Sequence, residues 1–178
     1  MTYLMAKFLK NFIGGVTLVA FLPAALVAPA MALEFPTHHV FIRSASTDQC
    51  LHVRGDVENQ NGLPVSQWEC INQDNVIWDL IRASGGTFMI RSPYSRRCIQ
   101  VDRGSQDNDA VISQWDCVDQ SNVKWFIKPT GKGTYYIQNK YTGRCLHLHG
   151  ATLGNGVPIT QWECIPQTNV QWSIEESQ

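Results

Sequence analysis

The chain has 178 residues, with 14 Lys+Arg against 15 Asp+Glu and a formal net charge of −1. That balance lacks the basic footprint of a nucleic-acid-binding protein, and no polybasic tail or low-complexity stretch is present. The first 32 residues read as a secretory signal peptide: Lys7 and Lys10 precede the apolar run 12–28, and "APAMA" at 28–32 offers small-residue cleavage sites. Cleavage after Ala32 is expected, with Ala30 as the second choice. The apolar run is short for a membrane span and ends in a cleavage-like site. Removing 32 residues from 178 leaves 146, with 12 Lys+Arg against 15 acids and a net charge of −3. That length suits one domain, 33–178, with a real core.

From residue 40 onward the chain repeats itself. "IRSASTDQCLHV" (42–53), "IRSPYSRRCIQV" (90–101) and "IQNKYTGRCLHL" (137–148) align. Each is followed by a turn-rich segment, then by "SQWEC" (66–70), "SQWDC" (113–117) or "TQWEC" (160–164), and then by "NVIWDL" (75–80), "NVKWFI" (122–127) or "NVQWSI" (169–174). Trp68, Trp115 and Trp162 are 47 apart, as are Trp78, Trp125 and Trp172. The units run over about 40–84, 88–131 and 135–176. Each reads as four short strands, with Asn61-Gly62 and Asn155-Gly156 as strong turns. The expectation is an all-β domain of about twelve strands with pseudo-threefold symmetry.

Strand alternation assigns faces. Leu51 and Val53 share one side, and Cys50 and His52 the other. The second and third copies repeat this with Cys98 and Gln100, then Cys145 and His147. In the last strand of each unit Val76, Trp78 and Leu80 share a side, with corresponding sets around Trp125 and Trp172, so these three Trp are predicted core residues. In "SQWEC" the alternation puts Ser66, Trp68 and Cys70 on one outward patch with His52. Gln67 points the other way. Gln67, Gln114 and Gln161 are therefore expected to hydrogen-bond backbone between strands, because a buried amide must be satisfied.

Six Cys in an exported chain imply disulfides. Cys alone permit many pairings, but only bridges inside each unit preserve the threefold repeat: Cys50–Cys70, Cys98–Cys117 and Cys145–Cys164. Each closes a loop worth roughly 3 kcal/mol in the chain-entropy model. No close Cys or His pair has zinc spacing, and "HLH" (147–149) reads as two exposed histidines rather than a metal site. No metal or cofactor is expected.

These residues together resemble the ricin B-type lectins, β-trefoil carbohydrate-binding modules with Q-x-W repeats. The resemblance spans about 42–174. It implies a six-stranded barrel capped by three hairpins, with the last Trp of each repeat in the core. It also implies a sugar platform at Trp68, Trp115 and Trp162, and a hydroxyl-holding Asn at Asn75, Asn122 and Asn169. The family's Asp two residues after the first Cys is replaced by His52, Gln100 and His147, and its first Gln by Ser66, Ser113 and Thr160. The implied function is a secreted, extracellular or periplasmic lectin for glycans or glycoproteins, with one shallow Trp-based site per repeat. If His52 and His147 touch ligand, affinity should change between about pH 5 and 8.

Two other classes compete. One is a protein-binding or cell-surface-binding subunit of a secreted toxin, similar to the accessory subunits of cytolethal distending toxins. The other is an enzyme, which the residues disfavour. Glu69, Asp116 and Glu163 recur once per repeat, as structural positions do, and no G-x-S-x-G, H-E-x-x-H or phosphate loop is present.

Overall fold

The computed structural model describes residues 35–55 and 60–177. The segment 1–32, expected to be a signal peptide, lies outside the described residues. Twelve strands fall into three groups of four. The first repeat holds β1 (Val40–Ser44), β2 (Cys50–His52), β3 (Ser66–Trp68) and β4 (Asp79–Ala83). The second holds β5 (Thr87–Arg91), β6 (Cys98–Val101), β7 (Ile112–Trp115) and β8 (Trp125–Pro129). The third holds β9 (Tyr135–Asn139), β10 (Cys145–Leu148), β11 (Ile159–Trp162) and β12 (Trp172–Glu176).

The outer strands of neighbouring repeats pair antiparallel: β4 with β5, β8 with β9 and β12 with β1. Within repeats the ring closes at single crossings, Val40↔Trp78, Phe88↔Trp125 and Tyr135↔Trp172. The result is a six-stranded barrel. The inner strands form three hairpins over it, β2–β3, β6–β7 and β10–β11. Bridges Pro64↔Ser113, Val111↔Thr160 and Pro158↔Ser66 join the hairpins to one another around the pseudo-threefold axis. This is a β-trefoil.

Trp78, Trp125 and Trp172 are fully buried and meet Ile42, Leu51, Ile99, Ile137 and Leu146 in one core. A buried indole N–H needs an acceptor. Each donates to the carbonyl one residue after the first Cys of its own repeat: Leu51 at 2.9 Å, Ile99 at 3.1 Å and Leu146 at 2.9 Å. The three Trp thus lock barrel to cap.

One expectation fails. Val76 does not share a strand with Trp78. It ends a single 3₁₀ turn, Asp74–Val76, repeated as Ser121–Val123 and Thr168–Val170. The turn rotates Val76 out of the barrel, into a small cluster with Phe41, Cys50 and Ile77 beside Trp68 and Cys70. Strict alternation across a 3₁₀ turn is invalid because its period is three rather than two.

Candidate functional site

Hairpin register decides what faces outward. Cys50 lies opposite Trp68, Leu51 opposite Gln67 and His52 opposite Ser66, and the other hairpins repeat this. Cross-strand partners share a face. So each hairpin carries a Cys–Trp pair and a His–Ser, Gln–Ser or His–Thr pair on its outer face, and a Gln on its inner face. All three disulfides form inside their repeats, with Cα separations of 5.1, 5.0 and 5.1 Å.

The inner Gln is a clasp between repeats. The Gln67 amide donates to Thr152 O at 2.7 Å and Gly154 O at 2.8 Å, and its oxygen accepts from Thr47 Oγ1 at 2.8 Å. Gln161 does the same with Ser105 O, Asp107 O and Thr142 Oγ1, each at 2.8 Å. Gln114 donates to Gln60 O at 3.1 Å, and its Oε1 has no partner among the described residues. The bonds go to backbone, as expected, but to the β2–β3 type loop of the preceding repeat rather than between strands. The residue before each first Cys holds the same loop. Gln49 reaches Asn155 at 2.9 Å, Arg97 reaches Asn61 at 2.5 Å, and Arg144 reaches Asn108 at 2.5 Å.

In repeats two and three the Trp, the residue two after Cys and the Asn of the 3₁₀ turn line one groove, whereas in repeat one the groove is lined by Asn75 with Gly55, Gln73, Asp74 and Tyr94. These predicted residues do come together. In repeat one, His52 Nδ1 lies 3.0 Å from Ser66 Oγ and Nε2 lies 3.1 Å from Asn75 Nδ2. Its ring stacks on Trp68 with centroids 4.9 Å apart. In repeat three, His147 Nδ1 lies 2.8 Å from Thr160 Oγ1 and Nε2 lies 2.9 Å from Asn169 Nδ2, with the Trp162 ring 5.4 Å away. Each imidazole is thus held on both sides, by a hydroxyl at Nδ1 and by an Asn amide at Nε2. Burial depresses the His147 imidazole below its usual value of 6.5; Asp109 opposes this, and His149 adds to it.

The expected exposure of these histidines is therefore corrected. His52 and His147 lie on the outer face but are only 5% and 6% exposed, covered by Trp68 and Trp162. Of "HLH", only His149 reaches solvent. It bonds Asp109 Oδ1 at 3.0 Å. Asp109 comes from the turn of repeat two, where it stands at φ 61 in place of the glycines Gly62 and Gly156. A short polar side chain tolerates that left-handed conformation.

Repeat two differs. Gln100 replaces His, and a relay runs from Asn122 Nδ2 to Gln100 Oε1 at 2.9 Å, Gln100 Nε2 to Ser113 Oγ at 3.3 Å, and Ser113 Oγ to Asp102 Oδ1 at 3.3 Å. Trp115 is 37% exposed, whereas Trp68 and Trp162 are partly buried. Its groove measures about 940 Å³, against about 440 Å³ beside Asn75 and about 310 Å³ beside His147 and Trp162. Asp102, Arg103, Gly104 and Tyr141 also line it. Sequence reasoning missed these residues. Tyr94 and Tyr141 each stand four residues before a first Cys, a recurrence visible in the aligned repeats, yet each serves the groove of the preceding repeat.

A family profile described as ricin-type beta-trefoil lectin domain-like matches residues 34–115, 83–162 and 124–178. The chain belongs to that family. Among solved structures, the designed threefold-symmetric protein ThreeFoil superposes with a TM-score of 0.74 at 20% identity, over 78% of this chain and 98% of that one. The agglutinin of Rhizoctonia solani gives 0.72 at 16% identity, over 82% and 99%. The exo-β-1,3-galactanase 1,3Gal43A of Clostridium thermocellum gives 0.74 at 23% identity, with this chain covering 79% of itself and 30% of that enzyme. At such identities the likeness establishes the fold. No curated protein sequence matches the chain.

Proposed function

We propose that this chain is an exported glycan-binding protein whose principal site is the groove of repeat two. The observation that carries this reading is the solvent-open Trp115 beside the Asn122–Gln100–Ser113–Asp102 relay. An indole face suits the apolar side of a pyranose. The Asn122 amide and the Asp102 carboxylate line the groove and can meet sugar hydroxyls, while Gln100, itself only 4% exposed, links them through the relay. In repeats one and three, His52 and His147 are buried against the Trp, and the grooves there are smaller. Asp102, two residues beyond Gln100, supplies a carboxylate where the resemblance leads one to expect Asp at position 100.

Binding without catalysis fits the places of the recurring acids. Asp116 accepts from Asn61 and Arg97, and Glu163 lies 3.8 Å from Arg144, both inside the inter-repeat clasps. The fold neighbours include an agglutinin, which favours a lectin, and a galactanase of which this fold is one part, which favours an accessory binding module. Residues 1–32 direct export in this reading, and three disulfides suit the oxidising compartment outside the cytoplasm. No described helix is long and apolar enough to cross a membrane.

The test is a glycan array probed with the oxidised mature chain. Binding to at least one neutral glycan is expected. A blank array from folded protein would overturn the lectin reading and leave a protein-binding toxin subunit as the alternative.

A further inference from the structure

We propose that the groove of repeat two is an oligosaccharide site, with Tyr141 of repeat three as a second sugar platform beyond Trp115. The proposal rests on the glycan-binding reading above and names the ligand class: a neutral chain of at least two sugars. Three observations carry it. First, Tyr141 is 54% exposed and lines the same groove as Trp115, and its hydroxyl makes no hydrogen bond among the described residues. A large aromatic left open on a polar groove is a contact surface in want of a partner.

Second, the position is specific to this groove. Tyr94, the counterpart in repeat two, donates its hydroxyl to Gly55 O at 2.6 Å and so is fixed against repeat one. Repeat one has Ser46 at this place, so the groove of repeat three has no tyrosine there. The groove with the free Tyr is also about three times the volume of the one without it.

Third, the fold holds Tyr141 in position. Its backbone N–H donates to Asn139 Oδ1 at 3.0 Å. Its ring lies against Gly104, where a Cβ would stand 3.3 Å from Cε1. Gly104 adopts φ +64, a conformation that favours glycine, and its missing side chain lets the ring approach closely. That loop is clasped by Gln161 of the same repeat as Tyr141, so the two walls move together. In the same groove the Asp102 and Arg103 side chains lie 3.7 Å apart and offset each other, which favours a neutral sugar.

The experiment uses isothermal titration of the full oxidised mature chain. The monosaccharide probes are galactose, glucose and N-acetylglucosamine; the oligosaccharides are lactose, N-acetyllactosamine and chitotetraose. The wild type is expected to bind at least one oligosaccharide about tenfold tighter than its constituent monosaccharides. Tyr141→Ala should erase that ratio by lowering oligosaccharide affinity about tenfold, and Tyr141→Phe should keep it. Trp115→Ala should weaken both. An unchanged ratio in Tyr141→Ala, or no ratio in the wild type, would overturn the second platform and leave the lectin reading intact. No binding of any of these six sugars would overturn the second platform for this ligand class, and the lectin reading itself falls only on a blank glycan array.

Discussion

At the scale of single residues, the Gln of the thrice-written Q-W pair is a structural clasp, and the Trp of repeat two is the proposed sugar platform. Gln67 and Gln161 each satisfy two loop carbonyls and one threonine hydroxyl from wholly buried positions. Replacing Gln161 by Ala strands those carbonyls, so it should lower stability by about 1–3 kcal/mol in urea unfolding. Gln114→Ala should cost less, because that amide makes one hydrogen bond, to Gln60 O at 3.1 Å, and its oxygen has no partner among the described residues. Equal losses at the three positions would refute the clasp.

His147 makes a second prediction at this scale. Burial holds its imidazole below the ordinary 6.5. As pH falls below that value the unfolded chain takes up the proton while the folded chain resists it. The unfolded state then binds more protons, and stability declines with falling pH. The urea midpoint should drop from about pH 7.5 to about pH 5, and His147→Gln, which copies Gln100, should reduce that drop. An identical pH profile in the variant would show that His147 is not responsible.

At the scale of elements, the alternation within "CLHV" and "SQWEC" was enough to place Leu51 and Gln67 inward and Trp68 and Cys50 together. The hairpin registers agree, because period two holds wherever the backbone is extended. It failed at Val76, where a 3₁₀ turn intervenes. It also gave the side of His52 but not its cover: a face is a local property, whereas burial under Trp68 is a tertiary one. Tyr141 was illegible as a groove residue for a related reason. It lies in a different repeat from the Trp it faces, and only the closing of the ring brings them together. The disulfides, by contrast, follow from repeat symmetry. Each ties the first strand of a hairpin to the segment after the second. Replacing both Cys98 and Cys117 by Ala should cost about 3 kcal/mol of stability, read by urea unfolding. A negligible loss would mean that the cap holds without its bridge.

At the scale of the molecule, threefold form and threefold function separate. Every repeat lends a loop to the clasp of the next: 60 to Gln114, 105 and 107 to Gln161, 152 and 154 to Gln67. A ring closed in this way has no terminal unit to fray, so unfolding should be one transition, with equal midpoints by tryptophan fluorescence and far-ultraviolet circular dichroism. Function is less symmetric. His52 and His147 fill the underside of two Trp, while Gln100, Asp102 and Tyr141 leave the third groove open.

The most direct measurement is therefore a comparison of Trp68→Ala, Trp115→Ala and Trp162→Ala against wild type on the strongest glycan found by the array. Each variant is first checked for a native melting transition. Trp115→Ala should lower affinity at least about tenfold, and the other two should change it by less than about threefold. Equal losses at all three Trp, or a loss confined to Trp68 or Trp162, would contradict a principal site in repeat two.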